Sequence, residues 1–258
     1  MACGEFGEGR MIEPLEIVAA VDAYFNAHAP LSGKRALVTS GPTHEAIDPV
    51  RFIANRSSGK QGHAIADALA RLGAETTLVT GPVALPDPPG MSVVHIETAR
   101  EMLAACKSAL PVDVAVCAAA VADWRVKKSA TQKLKKNGGK PLPLELTENP
   151  DILRTLAQAS GNRRPKLVVG FAAETENLIE NAQKKRLRKG CDWLLANDVS
   201  PDQGTFGGES NTLHLVNDDG VEAWPRMSKA AAAERLARAV ADHFAGARGD
   251  GPGAPADT

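Results

Sequence analysis

The chain has 258 residues, 43% of them hydrophobic, enough to bury one large α/β core or one core with appendages. Its 30 basic and 31 acidic side chains nearly cancel, so no global field is available to hold nucleic acid or an anionic membrane, and a charge-driven site has to come from local clustering. No apolar run approaches the ~18 residues of a membrane span, the N-terminus lacks a signal core, and the four cysteines are widely spaced without a CxxC pair, so a reduced, cytoplasmic setting is expected.

Met1 to Arg10 is rich in glycine and charge and carries no helix or strand pattern; its abrupt start suggests that a further segment belongs upstream. Pro14 suits a first helical turn, and Ile17, Val18, Val21 and Phe25 recur at helical spacing before Pro30 and Gly33 break the pattern. From Lys34 short apolar runs alternate with helical patterns, the mark of a parallel sheet covered on both faces. The predicted strands are Arg35 to Thr39, Thr76 to Thr80, Val93 to Ile96, Val112 to Cys117, Lys166 to Gly170 and Trp193 to Ala196. Helices are predicted over Gly62 to Leu72, Ala99 to Ala109, Pro150 to Ala159 and Glu176 to Lys189. The fold class is therefore α/β, a Rossmann-like doubly wound, mainly parallel sheet.

Two stretches interrupt the alternation. Val126 to Pro143 holds six lysines and no acidic residue, too little apolar content to pack, and reads as a mobile lysine-rich flap. Thr212 to Val216 and Val221 to Pro225 flank Asn217, Asp218, Asp219 and Gly220, a C-terminal antiparallel hairpin. A helix over Lys229 to Phe244 precedes a Gly, Ala and Pro-rich tail expected to be disordered. The expected organisation is a linker over 1–30, one main domain over 31–245 and a tail over 246–258.

A strand followed by a glycine-rich segment invites a dinucleotide reading, and it fails. Ser40, Gly41, Pro42 and Thr43, then Ser57, Ser58, Gly59, Lys60, Gln61 and Gly62, form neither GxGxxG nor a P-loop. The second strand ends in Thr80 and Gly81 without the acidic residue that holds a ribose. A helix start presenting Ser57, Ser58, Gly59 and Lys60 does suit a phosphate, and equally suits an ordinary cap with a packing glycine. Asp123, just past a central strand, suits magnesium or a plain surface turn. Lys133, Lys135 and Lys136 suit polyphosphate, solvent or RNA, although the aromatic residues that stack bases are absent. Asn149, Pro150 and Asp151 open a helix at the same sheet edge, Phe171 follows the next strand, and Lys185 and Lys189 share a helical face. No protein nucleophile stands beside a matched base, which fits activation of a substrate carboxylate by a nucleotide.

Seven segments in order carry a resemblance: TSGPTHEAIDPVRFIAN, SSGKQGHAIA, AAAVADWR, KLKK, NPDIL, GFAAET and ANDVS. From about Leu31 to Phe244 the chain resembles the bacterial phosphopantothenate-cysteine ligase family. The resemblance implies a reaction in which the phosphopantothenate carboxylate attacks cytidine triphosphate (CTP), releasing pyrophosphate. The amine of L-cysteine then displaces CMP from the acyl-cytidylate. It implies that Asn55 stabilises the acyl-cytidylate or its oxyanion, with Arg51 in the same motif and Lys133 acting from the flap. Nucleotide contacts are implied at Ala118, Ala119, Ala120, Asp123, Lys133, Pro150, Asp151, Ile152, Leu153, Phe171, Lys185 and Lys189, with Ser57, Ser58 and Gly59 at the helix start. Mg2+ is expected at Asp123. Lys133, Lys135 and Lys136 match a flap motif that covers the active site in a homodimer. Ala2, Cys3, Gly4 and Glu5 resemble the last segment of phosphopantothenoylcysteine decarboxylase, a flavoprotein commonly fused upstream, so the chain is expected to be part of a bifunctional protein whose FMN belongs to the other domain. The rival readings are a noncatalytic nucleotide-binding module, for which Asn55 has no purpose, and an oxidoreductase.

Overall fold

The computed structural model describes residues 12–135, 143–174, 176–198 and 210–246. In chain order the elements are helix α1 (Pro14–Ala27), strand β1 (Arg35–Ser40), a short pair β2 (Glu45–Ala46) and β3 (Phe52–Ile53), helix α2 (Lys60–Arg71), strands β4 (Glu75–Thr80) and β5 (Ser92–His95), helix α3 (Ala99–Ala109) and strand β6 (Val114–Cys117). A second short pair, β7 (Trp124–Val126) and β8 (Leu146–Glu148), precedes helix α4 (Ile152–Ala157), strand β9 (Leu167–Glu174), helix α5 (Leu178–Lys189) and strand β10 (Trp193–Asp198). The chain continues through β11 (Ser210–Asn211), β12 (Leu213–Val216), β13 (Val221–Ala223), β14 (Met227–Ser228) and helix α6 (Lys229–Gly246).

Eight strands form one sheet in the order β13-β12-β10-β9-β6-β1-β4-β5. From β10 to β5 all neighbours are parallel, and β12 and β13 complete the sheet as an antiparallel hairpin. Reading from β5, the parallel strands follow the doubly wound order, with the reversal between β1 and β6. Period-two geometry sorts the buried side chains between the faces. Ala36 and Val38 of β1, with Val114 and Val116 of β6, pack beneath α2 and α6 in one core, whereas Leu37 and Ala115 join Met102 of α3 and Leu156 of α4 on the other face. A third cluster, around Ala182 of α5, covers the β9 and β10 end.

The predicted doubly wound sheet and hairpin are present, with shifted boundaries. α3 starts where Thr98 and Glu101 close a capping box: the Glu101 amide donates to Thr98 Oγ1 at 3.3 Å and the Thr98 amide to Glu101 Oε2 at 2.9 Å. β9 runs on to Glu174, past the predicted stop at Gly170. That glycine admits its neighbours: a Cβ there would lie 2.6 Å from Leu153 Cδ2 and 2.9 Å from Leu194 Cδ1. α4 is shorter than predicted, because Asp151 caps it rather than entering it, accepting from the Arg154 amide at 3.0 Å. Along α1, Leu15, Val18 and Val21 stay exposed. The tail beyond 246 lies outside the described residues, as do Met1 to Arg10 and Lys136.

Candidate active site

Open α/β sheets bind ligands where the strand order reverses, outside the carboxyl ends of the strands. Here that crevice is filled by backbone. The segment after β1 and the small-residue run after β6 continue side by side: the Ala118 amide donates to Thr39 O, the Ala120 amide to Gly41 O at 2.9 Å, and Pro42 and Ala120 form a parallel bridge. Side chains extend the seam, since the Ala119 amide donates to Thr39 Oγ1 at 3.3 Å and the Ala122 amide to Thr43 Oγ1 at 3.0 Å. The amides of Ala118, Ala119, Ala120 and Ala122 are thus consumed.

Cavities open on either side of this seam. The first, of about 560 Å³, is lined by Asn55, Ser57, Ser58, Gly59, Lys60, Gln61 and Gly62 at the start of α2, by Ala118 to Val121, and by Asn197, Asn211 and Lys229. The second, of about 450 Å³, is lined by Thr39, Cys117, Asn149, Pro150, Asp151, Ile152, Leu153 and Lys189. Ala119, Val121, Asp123, Phe171 and Lys185 line both.

The start of α2 is shaped by glycines. Gly59, at the N-cap, has φ 73°, a left-handed conformation that also spares Val83, whose Cγ1 would stand 2.7 Å from an added Cβ. Gly62 lets the helix lie against β1, since a Cβ there would come within 2.4 Å of Ser40 Oγ. Buried Ser40 donates to Gly59 O at 2.9 Å, and its Oγ lies 3.0 Å from His63 Nδ1. Burial lowers the His63 pKa below its ordinary value. This serine and histidine were not singled out from the sequence; Ser40 is fully buried under α2, so the pair fastens the helix and has no access to substrate. With Gly59 so held, the first turn of α2 and the positive end of its helix dipole border the first cavity.

Asn55 is at the cavity wall, and its Nδ2 donates to Val121 O at 2.9 Å, tying the motif to the seam. Asp123 is exposed at the junction of the two cavities, and Phe171 both lines them and packs against the core beneath α2 and α6. Lys189 is ion-paired with Asp151, so two residues expected at the nucleotide offset each other's charge while Asp151 also caps α4. Asn149 fixes this wall: its Nδ2 donates to Ala122 O at 2.8 Å and its amide to Asp123 O at 2.9 Å.

Arg51, Lys133 and Lys135 stand apart from both linings. The Arg51 guanidinium is ion-paired with buried Asp48 and donates to Leu134 O at 2.9 Å, while the Leu134 amide donates to Asp48 Oδ2 at 3.1 Å. The Arg51 side chain, with help from the amides of Leu134, Val50 and Arg51, holds the Asp48 carboxyl far below the usual carboxylate range despite its burial. Arg51 therefore fastens the lysine segment at Leu134 to the β2–β3 turn, and Lys133 and Lys135 flank that point with exposed side chains. Cys117, in the second cavity, is raised well above the ordinary thiol range by burial, then by Cys106, Cys191 and Asp151. Among the described residues no group of three or more His, Cys, Asp or Glu is placed to hold a metal, and no helix is long and apolar enough to cross a membrane.

Residues 31–244 match the family model for the DNA/pantothenate metabolism flavoprotein C-terminal domain. The coenzyme A biosynthesis bifunctional protein CoaBC of Vibrio cholerae is 44% identical over 237 residues, which cover 91% of this chain and 59% of that protein. The Escherichia coli protein of the same name is 47% identical over 232 residues, 88% of this chain and 56% of that one. The chain therefore spans somewhat over half the length of these relatives. A crystal structure of the C-terminal domain of CoaBC superposes with a TM-score of 0.70 at 37% identity, covering 84% of this chain and 98% of that one. The Cab2 mutant H337A in complex with phosphopantothenate-cysteine shares the fold, with a TM-score of 0.66 at 16% identity over 93% of this chain and 97% of that one. The chain belongs to the DNA/pantothenate metabolism flavoprotein C-terminal domain family.

Proposed function

We propose that this chain carries the ligase step of coenzyme A biosynthesis, joining phosphopantothenate to L-cysteine with CTP through an acyl-cytidylate. The observation that carries this reading is the pair of cavities meeting at Asp123, Phe171 and Lys185, with the start of α2 in one and the start of α4 in the other. A nucleotide lying across that junction would set its base and sugar against Pro150 to Leu153 and its phosphates towards α2, where amide dipoles and Lys60 favour negative charge. A substrate carboxylate supplies its own nucleophile, so the protein need only hold reactants and offset charge. Neutral Cys117 is consistent with that economy.

Asp123 fits Mg2+, which prefers one or two carboxylates with phosphate oxygens. Bound there, the ion would offset charge on the phosphates. Asn55, held by Val121 O, is assigned to the acyl-cytidylate. Arg51, Lys133, Lys135 and Lys136 are assigned to a flap that acts in a homodimer, a state favoured by exposed Val50, Phe52, Trp124 and Leu146 around the two short strand pairs. Cytoplasmic location and fusion to an FMN-dependent decarboxylase domain complete the reading, which involves neither nucleic acid nor membrane.

The test is pyrophosphate release by the purified chain with phosphopantothenate, Mg2+ and each nucleoside triphosphate in turn, before and after cysteine. Release that favours CTP, followed by cysteine-dependent amide formation, is expected. A folded protein that binds CTP and releases nothing with any nucleotide is a noncatalytic binding module.

A further inference from the structure

Asp123 stands at the junction of the two cavities, and a single residue holds the chain on both sides of it. Asn149 Nδ2 donates to Ala122 O at 2.8 Å, and the Asn149 amide donates to Asp123 O at 2.9 Å. Those two carbonyls belong to the peptide groups that precede and follow the Asp123 Cα. Peptide groups are planar, so φ and ψ of Asp123 are the only soft dihedrals between the two tethered planes. Fastening both planes to one partner fixes the backbone from which the Asp123 carboxylate is presented.

Asn149 is itself held in one orientation. Amide oxygen and nitrogen are nearly identical in shape, and the neighbours decide between them. Here the Ala122 carbonyl can only accept and the Arg125 guanidinium can only donate; Arg125 Nη1 lies 3.4 Å from Asn149 Oδ1 and also donates to Glu148 O. Nδ2 must therefore face Ala122, and Oδ1 must face Arg125. Around this clasp the Ala122 amide donates to Thr43 Oγ1 at 3.0 Å, and Trp124 pairs with Glu148 across β7 and β8. The run from Ala122 to Trp124 is thus tied both to β8 and to the segment after β1.

We propose that Asn149 is a positioning residue of the nucleotide site, acting through Asp123. This deepens the ligase reading and rests on it: Asp123 receives the Mg2+ carried by the triphosphate, and Asn149 keeps that carboxylate at the junction of the cavities. Groups that orient a metal-binding side chain without touching the metal lower affinity or activity by about 10- to 100-fold when they are removed.

The test measures CTP affinity by calorimetry, with Mg2+ and with EDTA, for the wild-type chain, Asn149→Ala, Asp123→Ala and the double variant. Asn149→Ala is expected to weaken CTP binding in Mg2+ by about tenfold and to leave binding in EDTA unchanged. In the Asp123→Ala background the same substitution should lose nothing further, since the group it acts through is gone. Three results overturn the assignment: no loss in Mg2+, an equal loss with Mg2+ and with EDTA, or an undiminished loss in the Asp123→Ala background. The last two describe a residue that only supports the cavity wall. If Asn149→Ala does not fold, Asn149→Leu, close in size and without the donor, is judged by the same three results. An Asp123→Ala chain that binds CTP with Mg2+ as tightly as the wild type removes the metal from Asp123, and with it both this role and that part of the ligase reading. A loss for Asp123→Ala with none for Asn149→Ala overturns the positioning role alone.

Discussion

Gly62→Ala pits two effects of opposite sign against each other at the helix that shapes the site. Helix propensity favours alanine over glycine by about 1 kcal/mol in a helix interior. The contact opposes it: the new Cβ would stand 2.4 Å from Ser40 Oγ, 2.5 Å from Ser40 Cβ and 3.0 Å from Ser40 Cα, against the 3.4 Å or more of ordinary contact. Ser40 cannot turn away without losing its bond to Gly59 O, and it is fully buried. Relief therefore requires α2 to lift from β1 by about 1 Å, which loosens the packing of Ile65, Ala66 and Leu69. Overpacking of this kind costs about 3 kcal/mol at its upper range. The net expectation is a loss of about 2 kcal/mol in urea unfolding, seen as a lower midpoint at unchanged m. CTP affinity should fall with it, because the displaced helix start is the proposed phosphate cradle. Double-mutant cycles with Ser40→Gly should recover part of the loss. A neutral or stabilising Gly62→Ala would refute the claim that this glycine exists for close approach.

Asp48→Asn should destabilise the chain at neutral pH by removing the partner of Arg51 and weakening the anchor of Leu134. Because the folded carboxyl titrates well below its unfolded value, its contribution is fully present above about pH 4 and is lost as pH falls through the folded pKa. The gap in thermal midpoint between wild type and variant should thus be flat from pH 8 to 5 and narrow below 4; a gap that widens in acid contradicts the ion pair. Burial pushes the Cys106 thiol up to about 12 and Cys191 to about 11. At pH 8 a thiol of the first kind is ionised about once in ten thousand molecules, so native Cys106, Cys117 and Cys191 should resist iodoacetamide until urea unfolds the chain, as followed by peptide mass spectrometry. Lys185→Ala should weaken CTP binding by about tenfold or more, the worth of one charged hydrogen bond, and an unchanged calorimetric affinity removes Lys185 from the nucleotide site.

The long periodic elements were legible because burial writes a period into them. Alternation of Ala36 and Val38 with Leu37 in β1, or the apolar spacing in α3, is imposed by a core on each face. The pairs β2–β3 and β7–β8 were not, since strands of two or three residues are too short to show a period. Motif residues beside one another in sequence stay together in space: Ser57 to Gly59 line the first cavity and Pro150 to Leu153 the second. The anchoring of Arg51 to Asp48 and Leu134 was not legible, because it depends on a chain fold-back that brings Leu134 within reach. The hydrogen bonds from Gln61 Nε2 to the Lys229 carbonyl and from Asn211 Nδ2 to Gln61 Oε1 were invisible for the same reason: these residues stand on α2, β11 and α6, with no local pattern to link them.

The zipped seam between Pro42 and Ala120 has a consequence for chemists who would block this site. With the central crevice closed by backbone, a molecule that occupies both cavities has to pass Val121 and Asp123, which line both. Two weak fragments, one seated by the start of α2 and one by the start of α4, would meet at those residues. A short tether between them makes the second contact intramolecular, at an effective concentration on the order of millimolar, whereas a linker too short to span the junction gains nothing.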